Sequence, residues 1–204
     1  MKIKRKKLQN ALEIVKPGLA DKEIIEQSTS FAFLGNKVIT YNDSISLSHP
    51  IDGLDLNGAV RAEELYGFLK RAEGEDIKLS LSDGQLKMKS GNATVGLVLK
   101  EDIVLPIQEA GEVDETDWKE LPEDFMHDLD FIKDSASSDM SRPVLTCINI
   151  TETYMEASDS FQIMRVHMNT EKNAFPFPNT LIPAESISEI VKIEPTLVGK
   201  TNGW

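Results

Sequence analysis

Apolar positions along this chain alternate between two periods, and the alternation itself repeats. Residues 33–47 read FLGNKVITYNDSISL and residues 148–163 read INITETYMEASDSFQI. Each stretch alternates with the two-residue period of a strand. Each contains a strand, a tight turn, a second strand closing in an Asn/Ser-Asp-Ser turn, and a third strand. A looser copy, LSLSDGQLKMKSGNATVGLVL, occupies residues 79–99. A stretch with helical spacing precedes each copy. The chain therefore reads as a repeated module of strand, helix and three strands, and a repeat constrains the fold before any single residue does.

The spacing predicts a short strand over Met1–Arg5, then a helix from Lys6 to Val15. Its apolar stripe is Leu8, Ala11, Leu12 and Val15, with lysines on the other side. Pro17-Gly18 ends it. Strands follow at Ser30–Phe33, Lys37–Tyr41 and Ser44–Ser48, joined by turns at Gly35-Asn36 and Asn42-Asp43. The second module begins with a strand at Asp55–Val60 and a helix from Arg61 to Ala72, striped by Leu65, Phe68, Leu69 and Ala72. Lys70 and Arg71 near its end suit the helix dipole. Strands at Ile77–Leu81, Gln85–Lys89 and Ala93–Leu99 complete it, with Asp83-Gly84 as a hairpin turn. Two modules make a first domain, residues 1–107. An acidic linker spans 108–117. A second domain, 118–204, starts with a short strand at Trp118–Leu121 and a helix from Pro122 to Ser135, striped by Phe125, Leu129 and Ile132. Strands are predicted at Leu145–Ile150, Tyr154–Ala157, Phe161–Met168 and Asn179–Pro183. A fourth helix covers Ala184–Lys192, and a last strand opens at Thr196–Val198. The fourth module has two strands fewer than the others, so this domain is expected to be incomplete and the chain to be part of a longer protein.

Charge changes the picture. The 204 residues carry a net charge of −12, which alone argues against a simple nucleic-acid coat. Its distribution is uneven. Lys2, Lys4, Arg5, Lys6, Lys7 and Lys16 in the first sixteen residues face one acid, Glu13. The stretch 101–135 is dominated by acids. A molecule with a basic face and an acidic exterior can still hold a polyanion on that face. The hydrophobic fraction of 40% and charged fraction of 27% are those of a globular protein. No apolar run nears the length of a membrane span, and none follows the basic start as in a signal peptide. The single cysteine, Cys147, makes no intrachain disulfide and fits a reducing cytoplasm. On its strand it reads as a small hydrophobe.

Catalytic and metal patterns are missing from the sequence. His49, His127 and His167 share no ligand spacing. Asp124, Asp128 and Asp130 lack the glycine-containing loop of a calcium site and read as an exposed helix face. There is no GK[ST] phosphate loop and no G-x-S-x-G elbow. Met155, Met164 and Met168 read as packing. No cofactor is expected.

The segments KLQNALEIVKPGLADKEIIEQSTSFAF, VITYNDSISLSHPI and VRAEELYGFLKRAEGEDIKLSLSDGQLKMKSGNATVGL resemble the first domain of a bacterial-type DNA sliding clamp. That is the beta subunit of DNA polymerase III, and phage-encoded forms look most similar. EASDSFQIMRV and NTLIPAESISEIVKI resemble its second domain. The resemblance implies an α+β clamp fold with helices on a concave face and antiparallel sheets outside. It also implies a homo-oligomeric ring around double-stranded DNA, and a third domain that this chain lacks. By the same resemblance the chain is a DNA-bound processivity factor rather than an enzyme. Lys6, Lys7, Lys16, Arg61, Lys70 and Arg71 would face DNA phosphates from the first two helices. Lys22 and Arg142 match loops that touch DNA. Such contacts attract without reading sequence. DNA polymerase and clamp loader would insert a hydrophobic peptide into a pocket. Its second-domain wall maps onto Ile148, Ser158, Ser160, Phe161, Gln162 and Ile163. Asp159 reads as a structural turn residue, because the same turn recurs at Asp43.

Two features depart from the clamp pattern. The third helix carries Asp124, Asp128 and Asp130, and the fourth carries Glu185 and Glu189, where a DNA-lining helix would be basic. An alternative is therefore a clamp-fold adaptor or decoy that binds replication proteins without encircling DNA. A hydrolase built on the clustered acids is disfavoured, because paired catalytic carboxylates need contrasting environments.

Overall fold

The computed structural model describes residues 1–42, 44–107 and 117–200. Asp43 and most of the acidic linker lie outside the described residues. The chain forms two compact units, Met1–Ile107 and Gln108–Trp204.

In the first unit, strand β1 (Lys2–Lys4) leads into helix α1 (Arg5–Val15). Strands β2 (Ser30–Gly35), β3 (Lys37–Tyr41) and β4 (Ser46–Pro50) follow. The second module is β5 (Leu56–Arg61), α2 (Ala62–Arg71), β6 (Asp76–Ser82), β7 (Gln85–Ser90) and β8 (Ala93–Val98). The modules do not fold separately. The strand that leads into each helix pairs with the other module's strands, giving antiparallel sheets β1-β6-β7-β8 and β4-β3-β2-β5. Each module thus closes its partner's sheet, and neither can bury its apolar face alone.

The helical stripes explain the core. Leu8, Ala11, Leu12 and Val15 from α1, and Ala62, Leu65, Phe68 and Leu69 from α2, are buried. They meet Phe31, Phe33, Ile77, Leu79, Leu86 and Met88 from the sheets in one cluster. α1 ends where the Thr40 hydroxyl donates to the Val15 carbonyl. A Cβ on Gly18 would stand 2.4 Å from Thr40 Oγ1, so this close approach requires glycine. The Asp83-Gly84 turn has φ of 56° and 69°, the left-handed pair of a tight hairpin.

β2 departs from simple alternation, because both of its faces are covered. Ala32, with Tyr41 and Ala59, packs against Leu105 on the side away from the main core. Buried Gln27 fixes that covering segment. Its amide nitrogen donates to the Asp102 carbonyl at 2.6 Å, and its carbonyl oxygen accepts from the Val104 N–H at 3.0 Å.

The second unit repeats the exchange. Its elements are β9 (Lys119–Glu120), α3 (Phe125–Ile132), β10 (Cys147–Ile150), β11 (Tyr154–Ser158), β12 (Ile163–His167), β13 (Thr180–Pro183), α4 (Ala184–Ile193) and β14 (Leu197–Val198). One sheet has the order β12-β11-β10-β13, and β14 pairs with β9. Phe125, Leu129, Ile132, Ile148, Ile150, Met155 and Ile187 form its core.

Several boundaries differ from the sequence reading, β4 among them at Ser46–Pro50 rather than Ser44–Ser48, and three of the differences have a local cause. α3 begins later than Pro122, because Asp124 takes a left-handed conformation (φ 62°) before the first helical turn. β10 begins at Cys147 rather than Leu145, because Pro143–Thr146 form a 3-10 turn in which the Thr146 hydroxyl donates to the Pro143 carbonyl at 2.8 Å. β12 begins at Ile163 rather than Phe161, because the N–H groups of Phe161 and Gln162 donate to Asp159 Oδ1, both at 2.9 Å. Asp159 makes this turn together with Ser158, whose Oγ accepts from the Ser160 N–H at 3.2 Å. The counterpart of Asp159 in the first unit is Asn42, whose Oδ1 accepts from Ser44 and Ile45 at 3.1 and 3.0 Å. The sequence pattern pairs Asp159 with Asp43, one residue further on, which lies outside the described residues.

Candidate nucleic-acid interface

α1 and α2 bury their apolar stripes together, which leaves their polar sides exposed next to each other. Tyr66 on α2 joins them by donating its hydroxyl hydrogen to Glu13 Oε1 at 2.6 Å. Gln9 donates to the same oxygen at 3.1 Å. The Tyr66 bond and then the Gln9 bond hold the Glu13 carboxyl below its ordinary value, and Lys70 and Lys16 act in the same direction. The Tyr66 hydroxyl is pushed up by that bond. Lys16 Nζ stands 5.4 Å and Lys70 Nζ 4.7 Å from the centre of the Tyr66 ring, both within cation–π reach. One aromatic ring and one carboxylate thus bring together two ammonium groups from the two repeated helices.

The other expected contacts fall into two groups. Lys6 and Lys22 are exposed and have no acidic partner among the described residues. Arg71 donates to the Gly67 carbonyl of its own helix at 3.0 Å. Lys7 is engaged by Asp52, at 3.0 Å to the carboxylate and 3.1 Å to the carbonyl. Arg61 pairs with Glu23 at 3.3 Å. The Glu23 carboxyl is held below its ordinary value first by the Gln27 N–H and then by Arg61. Glu63 and Glu64 are also exposed on the first turn of α2. The face is mixed in sign rather than uniformly basic.

In the second unit, Arg142 Nη1 donates to Ser160 Oγ at 2.9 Å. This bond joins a residue expected at DNA to one expected in the peptide pocket. Ser160 has a φ of 81°, and Ser158 Oγ donates to the Gln162 carbonyl at 2.7 Å. Above this turn Phe161 is 97% exposed and Ile163 71% exposed, and Gln162 is exposed with them. Ile148 is fully buried, so it supports the turn from the core and offers no surface of its own. On α3, His127 and Asp130 are exposed, and Asp130 pairs with Lys133. On α4, Glu189 pairs with Lys192 at 2.9 Å. No group of three or more metal-ligating residues exists among the described residues.

Sequence reasoning missed Gln9, Glu13, Tyr66, Asp52 and Glu23. The first three carry a signal: Gln9 and Glu13 stand four apart on α1, as Tyr66 and Lys70 do on α2. Asp52 and Glu23 lie in loops, and no local pattern marks them.

No protein-family model matches the sequence, and no curated protein matches it. Solved structures do. A DNA polymerase sliding clamp from Bacillus subtilis superposes with a TM-score of 0.79 at 16% identity, covering 98% of this chain and 59% of that one. The beta subunit from Streptococcus pyogenes DNA polymerase gives 0.76 at 19%, covering 97% and 58%. A Bartonella birtlesii sliding clamp bound to griselimycin gives 0.76 at 16%, covering 98% and 59%. The chain has the sliding-clamp fold. It spans about three-fifths of the length of these clamps. In each unit the apolar stripes of the two helices share one core cluster with residues of the sheets.

Proposed function

We propose that the chain is a DNA polymerase processivity factor, a sliding clamp that encircles duplex DNA without sequence preference and tethers a polymerase. The likeness to sliding clamps over nearly the whole chain carries this reading. The pairing of Lys16 and Lys70 across Tyr66 supports it, since two exposed ammonium groups on adjacent helices suit phosphate contact without base readout. The role is mechanical rather than catalytic, and the polymerase supplies the chemistry. A homo-oligomeric ring would encircle the DNA. The site of action is the cytoplasm. No helix among the described residues is long and apolar enough to cross a membrane. Polymerase and clamp loader would dock through a hydrophobic peptide on the turn carrying Ser158, Ser160, Phe161, Gln162 and Ile163.

The test is retention on nicked circular DNA after loading, with the full-length protein. Encirclement predicts co-elution with the circle at a salt concentration that abolishes binding to short linear duplex, and release once the circle is linearised. Equal retention on open linear DNA would point to ordinary binding. A protein that captures polymerase but never stays on circles would be the adaptor instead.

A further inference from the structure

The sheet β1-β6-β7-β8 turns Ile3, Ile77, Leu79, Leu86 and Met88 toward the core. Its other face carries a row of lysines. Lys2 stands opposite Lys78 and Lys78 opposite Lys89, with Thr94 next in line. Like charges directly opposite each other on neighbouring strands destabilise a sheet. Lysines on an edge strand are readily explained, because they block unwanted pairing. That accounts for Lys2 on β1 but not for Lys78 and Lys89, which lie on the two central strands. The row is neutralised only at its edge. Lys2 pairs with Asp76 at 2.7 Å and Lys87 with Asp83 at 3.6 Å, whereas Lys78 and Lys89 have no acidic partner among the described residues. A shallow trough of about 460 Å³ runs over the row, with Ser80, Thr94 and Met1 along its sides.

We propose that this outer sheet face docks a short acidic peptide segment of a protein partner. Charge complementarity selects an anion. Three observations select a peptide over nucleic acid. No aromatic side chain lines the trough, so unpaired bases have no stacking platform. The cations are lysines, point charges without the planar fork that reads bases. The molecule carries −12 overall, so a long duplex meets repulsion beyond the patch, while a segment no wider than the row interacts within about one Debye length of it. The hydroxyls of Ser80 and Thr94 add donors for carboxylates, and exposed Met1 offers an apolar flank for a neighbouring side chain.

The experiment uses the whole chain and a short fluorescein-labelled peptide of alternating glutamate and leucine, read by anisotropy. Wild type should bind at about 50 mM NaCl and more weakly at about 200 mM, as the Debye length shortens. The double variant Lys78→Gln/Lys89→Gln should bind about tenfold more weakly. It should melt no lower than wild type, because facing like charges have been removed. Lys16→Gln/Lys70→Gln on the helices should bind the peptide as wild type does. The proposal is overturned if wild type ignores the peptide, or if the sheet variant binds it equally. It is also overturned if the helix variant loses it to the same degree. A short duplex that displaces the peptide and loses affinity in the sheet variant would make DNA the occupant.

Discussion

At the scale of single residues, the informative finding is a carboxylate placed between two expected DNA contacts. Glu13 accepts from Tyr66 and Gln9 and lies beside Lys16 and Lys70. Its negative charge offsets part of the attraction these lysines exert on phosphate. Glu13→Gln should therefore strengthen binding to a short duplex and steepen its salt dependence by up to about one counterion. Fluorescence titration at several salt concentrations measures both, and a weaker complex would show that Glu13 positions the lysines rather than opposing them. Asp159 makes a second case. Its carboxyl is held below its ordinary value of 3.8 by the N–H groups of Gln162 and then Phe161. A depressed folded-state value means that the contribution is complete above the unfolded value and is lost as pH falls through the lower folded one. Asp159→Ala should lower the melting temperature at neutral pH and flatten its decline below 3.8. Asp159→Asn, which keeps an accepting oxygen, should stay near wild type at neutral pH. An alanine variant that melts like wild type would remove the turn from the account of the fold.

At the scale of elements, the helices and the three-strand runs are legible because their signals are local. Leu8, Ala11, Leu12 and Val15 fall on one stripe, and all four are buried. Asp83-Gly84 makes the hairpin its dipeptide announces. What the sequence conceals is partnership over distance. The pairing of β1 with β6 brings together residues more than seventy apart, and no local pattern states that a module's first strand belongs to its neighbour's sheet. The same blindness hid Tyr66 and Glu13, whose contact joins two helices. The exchange makes α1 a keystone of the first unit. Leu12→Ala, at a fully buried position, should cost about 2–5 kcal/mol. Urea unfolding followed by far-UV circular dichroism measures it. Gly18→Ala should also destabilise, because its Cβ would displace the Thr40 hydroxyl from the end of α1. Adding Thr40→Ser, which keeps the hydroxyl, should not rescue it, whereas Gly18→Ala with wild-type stability would show that the loop after α1 yields easily.

At the scale of the whole molecule, the proposed function would require a chain of net charge −12 to hold an acidic polymer. Of the eight cations expected at DNA, Lys7 and Arg61 are already paired with Asp52 and Glu23, and Arg142 belongs to the Ser160 turn of the second unit. Lys6, Lys22 and Arg71 remain on the first unit without acidic partners among the described residues, and Lys16 and Lys70 remain beside Glu13 with no ion pair among the described residues. Each phosphate neutralised releases about 0.9 of a counterion. Five contacts therefore predict a log–log salt slope of about −4.5 for binding to short linear duplex, against about −7 if all eight engaged. Weak, salt-labile contact is what a sliding protein needs, because attachment by enclosure requires only that DNA be attracted and not held. Lys16→Glu/Lys70→Glu should abolish measurable linear binding and reduce dwell time on circles, with the circular dichroism spectrum unchanged. A measured slope near −7 would mean that DNA opens the Lys7–Asp52 and Arg61–Glu23 pairs and engages Arg142 as well. In that event Asp52→Asn and Glu23→Gln should each raise affinity while leaving the slope as steep, since both lysine and arginine would already be counted among the phosphate contacts.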